Sequence, residues 1–109
     1  MTNRALMEKT MSELDFARAV VDLALSCGWK VKQEPVWRAT SRKHDSAVGF
    51  PDLVLARKGQ LIFAELKAER GRVSKAQEEW MAQLRWAGTG VHVYVWKPSD
   101  WDEIVEVLR

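Results

Sequence analysis

Two runs of strand-forming residues, Asp52–Arg57 and Gln60–Ala68, are separated only by Lys58-Gly59. This hairpin constrains the fold more than any other stretch of the chain. A two-residue loop with Gly in second place suits a turn whose twist matches the strands, and it leaves one register. Arg57 then faces Gln60, Leu55 faces Ile62, and Asp52 falls opposite Glu65. Apolar side chains occupy both faces, Leu53 and Leu55 on one, Val54 and Ala56 on the other. Strands of that kind belong in the middle of a sheet covered on both sides.

The remaining elements follow from periodicity and capping. Residues 12–28 read as a helix, with Ser12 and Asp15, or Thr10 and Glu13, as a capping box and Gly28 as the stop. Its apolar arc holds Leu14, Phe16, Ala17, Val20, Val21, Ala24 and Leu25. Trp29–Gln33 is a short strand, and the segment 34–48, containing Pro35, reads as a loop. Ser74-Lys75-Ala76-Gln77 caps a helix running to about Ala87, Val91–Trp96 is a further strand whose early His92 is expected to pack, and Pro98-Ser99 opens a last helix to Leu108. The expected order is α-β-β-β-α-β-α, an α/β domain.

At 109 residues the chain has the size of one domain, with residues 1–10 a loosely ordered N-terminal segment. The lone Cys27 excludes an internal disulfide and a cysteine zinc site, and fits a reducing compartment. No apolar run reaches the roughly 18 residues of a membrane span. The first ten residues lack the apolar centre of a signal peptide, so a cytoplasmic setting without membrane contact is expected. Seventeen Lys and Arg against fifteen Asp and Glu leave a net charge of only +2. Bulk charge therefore does not argue for nucleic acid, but placement does. Arg38, Arg42, Lys43 and His44 cluster in one loop, and Arg70, Arg72 and Lys75 in another.

Directly opposed residues of a hairpin project from the same face, about 4.5–5.5 Å apart. The register thus gathers Asp52, Glu65 and, two residues on, Lys67 at one end of otherwise apolar strands. Two opposed carboxylates repel unless something positive lies between them. Lys67 is one candidate, and a hard divalent ion such as Mg²⁺ or Mn²⁺ is the stronger one. With Lys67 to orient an attacking water or lower its pKa, such a site suits phosphodiester hydrolysis. The alternative is a plain salt bridge at a strand end. Glu13 lies in the apolar arc of the first helix, in line with Ala17, Val20 and Ala24, and would aim a carboxylate at the sheet. Gln77 falls on the inward face of its helix beside Trp80, Met81 and Leu84. Taken singly, Glu13 would serve the helix dipole and Gln77 the capping box; together the four polar groups converge on one place.

Gly49-Phe50-Pro51-Asp52, Glu65-Leu66-Lys67 and Gln77 in the following helix resemble the PD-(D/E)xK nuclease pattern. More narrowly, the chain resembles the virus-type replication-repair nuclease (VRR-NUC) domain. The likeness runs from Ser12-Glu13-Leu14-Asp15-Phe16 through the G-F-P-D strand, the E-x-K strand and the Ser-x-x-Gln helix start to Val93-Tyr94-Val95-Trp96, about Met11 to Leu108. It implies a restriction-endonuclease-like core with a mixed central sheet. It also implies Asp52 and Glu65 as metal ligands, with the Leu66 carbonyl and Glu13 completing the set. Lys67 becomes the catalytic lysine and Gln77 its support.

The activity implied is metal-dependent cleavage of DNA, often branched or flapped, in replication, recombination or repair, with no small-molecule cofactor. Stand-alone members are phage-type proteins that act as homodimers, which suggests a bacterial or phage-infected cell. A dimeric Holliday-junction resolvase and a non-catalytic nucleic-acid-binding module are the rival readings, and RNA remains an alternative substrate. In this picture the loop residues Arg38, Arg42, Lys43 and His44, with Arg70, Arg72 and Lys75, would meet substrate phosphates. Trp37, Trp86 and Trp101 would serve a dimer contact or base stacking.

Overall fold

The hairpin forms as its turn chemistry dictates: Lys58 and Gly59 both take positive φ, 49° and 79°, the pairing of dihedrals that a primed turn requires. A computed structural model describes residues 12–34 and 48–109 of the chain. The N-terminal segment 1–10 and the basic loop with Trp37, Arg38, Arg42, Lys43 and His44 lie outside the described residues. The elements are α1 (Glu13–Ser26), β1 (Lys30–Gln33), β2 (Leu53–Arg57), β3 (Gln60–Leu66), α2 (Lys75–Arg85) and β4 (Val91–Trp96). A 3₁₀ turn (Pro98–Asp100) then leads into α3 (Trp101–Leu108). Among the described residues no helix is long and apolar enough to cross a membrane.

The strands form one mixed sheet in the order β1-β2-β3-β4, antiparallel except for the parallel pair β3–β4. The hairpin strands are central, as their two apolar faces require. Leu53 pairs with Ala64, Leu55 with Ile62 and Arg57 with Gln60, so the expected register holds. Leu53, Leu55, Ile62, Ala64 and Leu66 face the main core. There they meet Phe16, Ala17, Val20 and Ala24 of α1, Trp96 of β4 and Ile104 and Leu108 of α3. The opposite face carries Val54, Leu61, Phe63 and Glu65, and α2 lies over it. Phe50 bridges the two layers, packing edge-on against Phe63 at 5.9 Å and Trp80 at 4.9 Å.

The ends of the elements are tied by named contacts. Ser12 caps α1 by accepting from the Asp15 N–H, which selects Ser12 over Thr10. Arg57 donates to the Cys27 and Leu108 carbonyls and stacks 4.3 Å over Trp29, whose Nε1 donates to the Leu108 carbonyl. The C-terminal ends of α1 and α3 are thereby fastened to the turn end of the hairpin.

Three expectations need correction. Leu14 and Leu25, placed in the apolar arc of α1, are 60% and 55% exposed. They lie at the margin of the arc, more than a quarter-turn from the Phe16–Val20–Ala24 stripe, and the sheet is too narrow to reach them. His92, expected to pack, is exposed and contacts Gln60 Oε1 at 2.7 Å, because it sits at the start of an edge strand. Trp86 is 87% exposed, whereas Trp101 packs against the core.

Candidate active site

The ladder between β2 and β3 ends at Leu53–Ala64, and Asp52 stands one residue beyond it. Its backbone still accepts from the Glu34 N–H, while its Oδ2 accepts from the Leu66 N–H at 2.8 Å. That backbone donor turns the carboxylate across the hairpin toward β3. Glu65 is only 1% exposed and is the buried charged residue among those described. Its Oε2 accepts from Gln77 Nε2 at 2.6 Å and lies 3.2 Å from Lys67 Nζ. The expected trio of Asp52, Glu65 and Lys67 therefore assembles on one face, with Gln77 joined to it.

Gln77 performs both tasks that its sequence position allowed. Its Oε1 accepts from the Ser74 N–H at 2.8 Å and its own N–H donates to Ser74 Oγ, completing the capping box. The amide nitrogen is left over for Glu65. Helix start and carboxylate orientation are thus set by one side chain. Gly49 makes this possible: at φ +92° it lies against the first turn of α2, and a Cβ there would fall 2.5 Å from the Ala76 carbonyl carbon. Gly71 plays a similar part beneath Lys67. A Cβ at Gly71 would approach the Lys67 Cβ at 3.3 Å and the Ala68 carbonyl oxygen at 3.2 Å. Sequence reasoning found Gly49 only as a motif letter, and it missed Gly71 and the Leu66 N–H; the register itself, which leaves Asp52 just past the ladder, held the signal for the latter.

The electrostatics are those of a crowded pair. Burial, and then the neighbouring Asp52 charge, push the Glu65 carboxyl from 4.5 up to about 7, against the pull of Lys67. Burial also raises Asp52, opposed by the Leu66 hydrogen bond. The two carboxylates lie close enough to share a hydrogen bond when one holds a proton. Glu65 Oε1 is buried with no donor. A buried acceptor without a donor costs about 1–3 kcal/mol, and at neutral pH a cation between the carboxylates would relieve it. Asp52 and Glu65 are oxygen donors suited to a hard divalent ion, so the residues present fit one.

Among the described residues no group of three or more His, Cys, Asp or Glu side chains comes together, so the expected third acid does not join the pair. Glu13 occupies the first turn of α1 and is exposed. Its azimuth is that of the buried arc, as its spacing from Ala17 requires, but it lies a full turn beyond that residue, past the packed layer. Arg70, Arg72 and Lys75 are exposed and follow β3 at the carboxylate end of the sheet.

A mixed four-stranded sheet whose central hairpin presents Asp52, Glu65 and Lys67 beneath a helix-borne Gln77 has the architecture of the PD-(D/E)xK nucleases. The profile of the VRR-NUC domain matches residues 10–98, and the chain belongs to that family. A solved structure of a VRR_NUC domain protein superposes with a TM-score of 0.60 at 22% identity. The match covers 92% of this chain and 87% of that one, and it bears out the fold. No curated protein matches the sequence. Family membership places the chain in a nuclease superfamily acting on DNA.

Proposed function

We propose that this protein is a Mg²⁺- or Mn²⁺-dependent endonuclease that hydrolyses phosphodiester bonds of branched or flapped DNA. The observation that carries the metal dependence is the buried Glu65 Oε1, without a donor beside a second carboxylate. Asp52 and Glu65 would hold the ion, with the Leu66 carbonyl as a further oxygen. When bound, the ion supplies positive charge to a water and to the scissile phosphate. Gln77 and Lys67 keep Glu65 Oε2 engaged, so the carboxylate has one fixed orientation. The Lys67 ammonium, 15% exposed, is the cation that reaches solvent from the trio and would meet the attacking water. Water oxygen bonds to phosphorus as it gives up a proton to solvent, the bond to the leaving oxygen breaks, and that oxygen takes up a proton from solvent.

Arg70, Arg72 and Lys75 would hold the flanking phosphates, with Arg38, Arg42, Lys43 and His44 on the other side. Glu13 is included by family likeness and by direction. The C-terminal end of α1 is fastened by Arg57 at the hairpin turn. Its 14 residues, at about 1.5 Å each, run back toward the end of the sheet that carries Asp52 and Glu65.

Linear, flapped and four-way DNA substrates incubated with Mg²⁺ or Mn²⁺ test the proposal. Cleavage that needs the ion, is stopped by EDTA and is lost in Lys67→Ala supports it; cleavage that survives either treatment refutes the mechanism. Symmetric cuts on opposite strands of the four-way substrate would favour the junction-resolvase reading. Binding without cleavage would favour the non-catalytic one, against which the intact Asp52, Glu65, Lys67 and Gln77 set argues.

A further inference from the structure

Past β3 the chain turns back on itself. The Gly71 N–H donates to the Ala68 carbonyl at 2.8 Å, which makes Glu69 and Arg70 the central pair of a β-turn. The turn lays Gly71 along the stem of Lys67: a Cβ at Gly71 would stand 3.3 Å from the Lys67 Cβ and 3.4 Å from its Cδ. The same lysine is held at two further points. Its N–H donates to the Trp96 carbonyl at 2.9 Å, and its Nζ lies 3.2 Å from Glu65 Oε2. Lys67 is thus fixed at its root, along its stem and at its tip, and the stem contact lasts only while the turn stays folded back.

The turn has an outside tie. Glu69 is half-buried and reaches across to the 3₁₀ turn after β4, where its Oε2 accepts from the Ser99 N–H at 3.0 Å. Ser99 lies in the first turn of that short helix, where N–H groups have no partner within the helix. The donor is itself well held: the Asp100 N–H donates to the Lys97 carbonyl, and Asp100 Oδ2 accepts from the Lys97 N–H. A carboxylate on a backbone N–H is a charge-assisted bond, roughly twice as strong as a neutral one. The residues joined are 30 positions apart, so tertiary packing, and not local turn preference, keeps Gly71 over Lys67.

We propose that Glu69 is a positioning residue: through the Ser99 N–H it holds the turn against Lys67 and so fixes where the ammonium meets the attacking water. Among the described residues Glu69 does not join Asp52 and Glu65 in a cluster of acids, so its part is not that of a third ligand. Its reach matters, and its charge only strengthens the bond to Ser99. The kinetic half of this role rests on the nuclease reading; the geometric half stands without it. Capping of the last helix alone would be a simpler task for Glu69, and its loss would lower stability without moving Lys67.

Two substitutions in the full chain separate reach from charge. Glu69→Asp keeps the charge but is shorter by one carbon–carbon bond of about 1.5 Å, too short for the Ser99 N–H. Glu69→Gln keeps the length and an acceptor oxygen and drops the charge. Nuclear magnetic resonance of the metal-free protein reads the geometry. Cross-peaks between Gly71 Hα and the Lys67 Hβ and Hδ protons are expected in the wild type and in Glu69→Gln, and are lost in Glu69→Asp. With Mg²⁺ and DNA, kcat should fall about tenfold or more in Glu69→Asp at nearly unchanged KM, and Glu69→Gln should rescue most of it. If Glu69→Asp does not fold, Gly71→Ala presses on the same stem from the other side, and the same fall in kcat at unchanged KM is expected. A Glu69→Asp protein that keeps either the cross-peaks or kcat overturns the proposal, even if its melting temperature drops. So does the opposite order, with Glu69→Gln impaired and Glu69→Asp intact. A wild type that shows the cross-peaks yet cuts no DNA refutes the nuclease reading and leaves the tie between Glu69 and Lys67 standing.

Discussion

Stability of the metal-free protein should fall as pH rises through the range in which Glu65 ionises. The carboxyl is raised from 4.5 to about 7, by burial first and by Asp52 second, and Asp52 is raised as well. Between these values the folded state holds a proton that the unfolded chain has released. The stabilisation is therefore complete below about 4.5 and is lost as pH climbs through about 7. At about 1.4 kcal/mol per tenfold change, the rise corresponds to on the order of 3 kcal/mol. In a domain of this length that is on the order of 10 °C in melting temperature.

Thermal unfolding followed by far-ultraviolet circular dichroism, in chelator-treated buffer from about pH 5 to about pH 8, measures it. Glu65→Gln should remove most of the slope, since the amide cannot ionise and Gln77 can still reach it by rotating its own amide. Adding Mg²⁺ or Mn²⁺ should raise the melting temperature more at about pH 8 than at about pH 5, where protons compete for the same oxygens. If wild type and Glu65→Gln share the same pH slope, the crowded-carboxylate account is wrong. If the divalent ion stabilises both equally, Glu65 is not a ligand.

Other perturbations reach the same framework from different sides. Lys67→Ala should lower cleavage by about 100-fold or more while the circular dichroism spectrum stays that of the folded domain. Gly49→Ala places a Cβ 2.5 Å from the Ala76 carbonyl carbon at a φ of +92°; urea unfolding should show a loss of more than about 2 kcal/mol, with cleavage reduced because the start of α2 must shift. Gln77→Leu strips the donor from Glu65 and the acceptor from the Ser74 N–H, at an expected cost of about 1–3 kcal/mol by the same measurement. Arg57→Met removes the ties to the Cys27 and Leu108 carbonyls and the stacking on Trp29; a loss of about 2 kcal/mol is expected with metal-dependent stabilisation unchanged, because the site is at the other end of the sheet.

Much of this molecule was legible in its sequence. Lys58-Gly59 and the strands beside it were enough to place Asp52, Glu65 and Lys67 together, because a two-residue turn transmits its register along the whole hairpin. Ser12 and Ser74 marked the starts of α1 and α2 for a similar reason: capping is settled within four residues. The G-F-P-D and E-x-K segments were visible as motifs. What they omitted was the support beneath them: Gly49 against Ala76 joins segments that no local pattern relates, and Gly71 against Lys67 belongs to a turn just past β3 that carries no motif.

Tertiary structure decided how far each layer reaches. Periodicity placed Glu13 correctly around the axis of α1, yet it is exposed, since burial depends on where the packed layer ends as well as on helical phase. Glu65 and Lys67 alternate with Leu66 by a rule any strand obeys, and the hairpin register sets Glu65 beside Asp52, but only the packed structure buries Glu65 with Gln77 on one oxygen and the other unpartnered. Gln77 could be read from sequence as a cap or as a site residue, and the packed helix uses its two ends for both. The sequence by itself determined the hairpin, its register and the candidate residues, because those follow from short-range turn and pleat geometry. Which of them are buried, crowded and shifted in charge was decided only when the elements packed, because desolvation belongs to the surroundings and not to the residue.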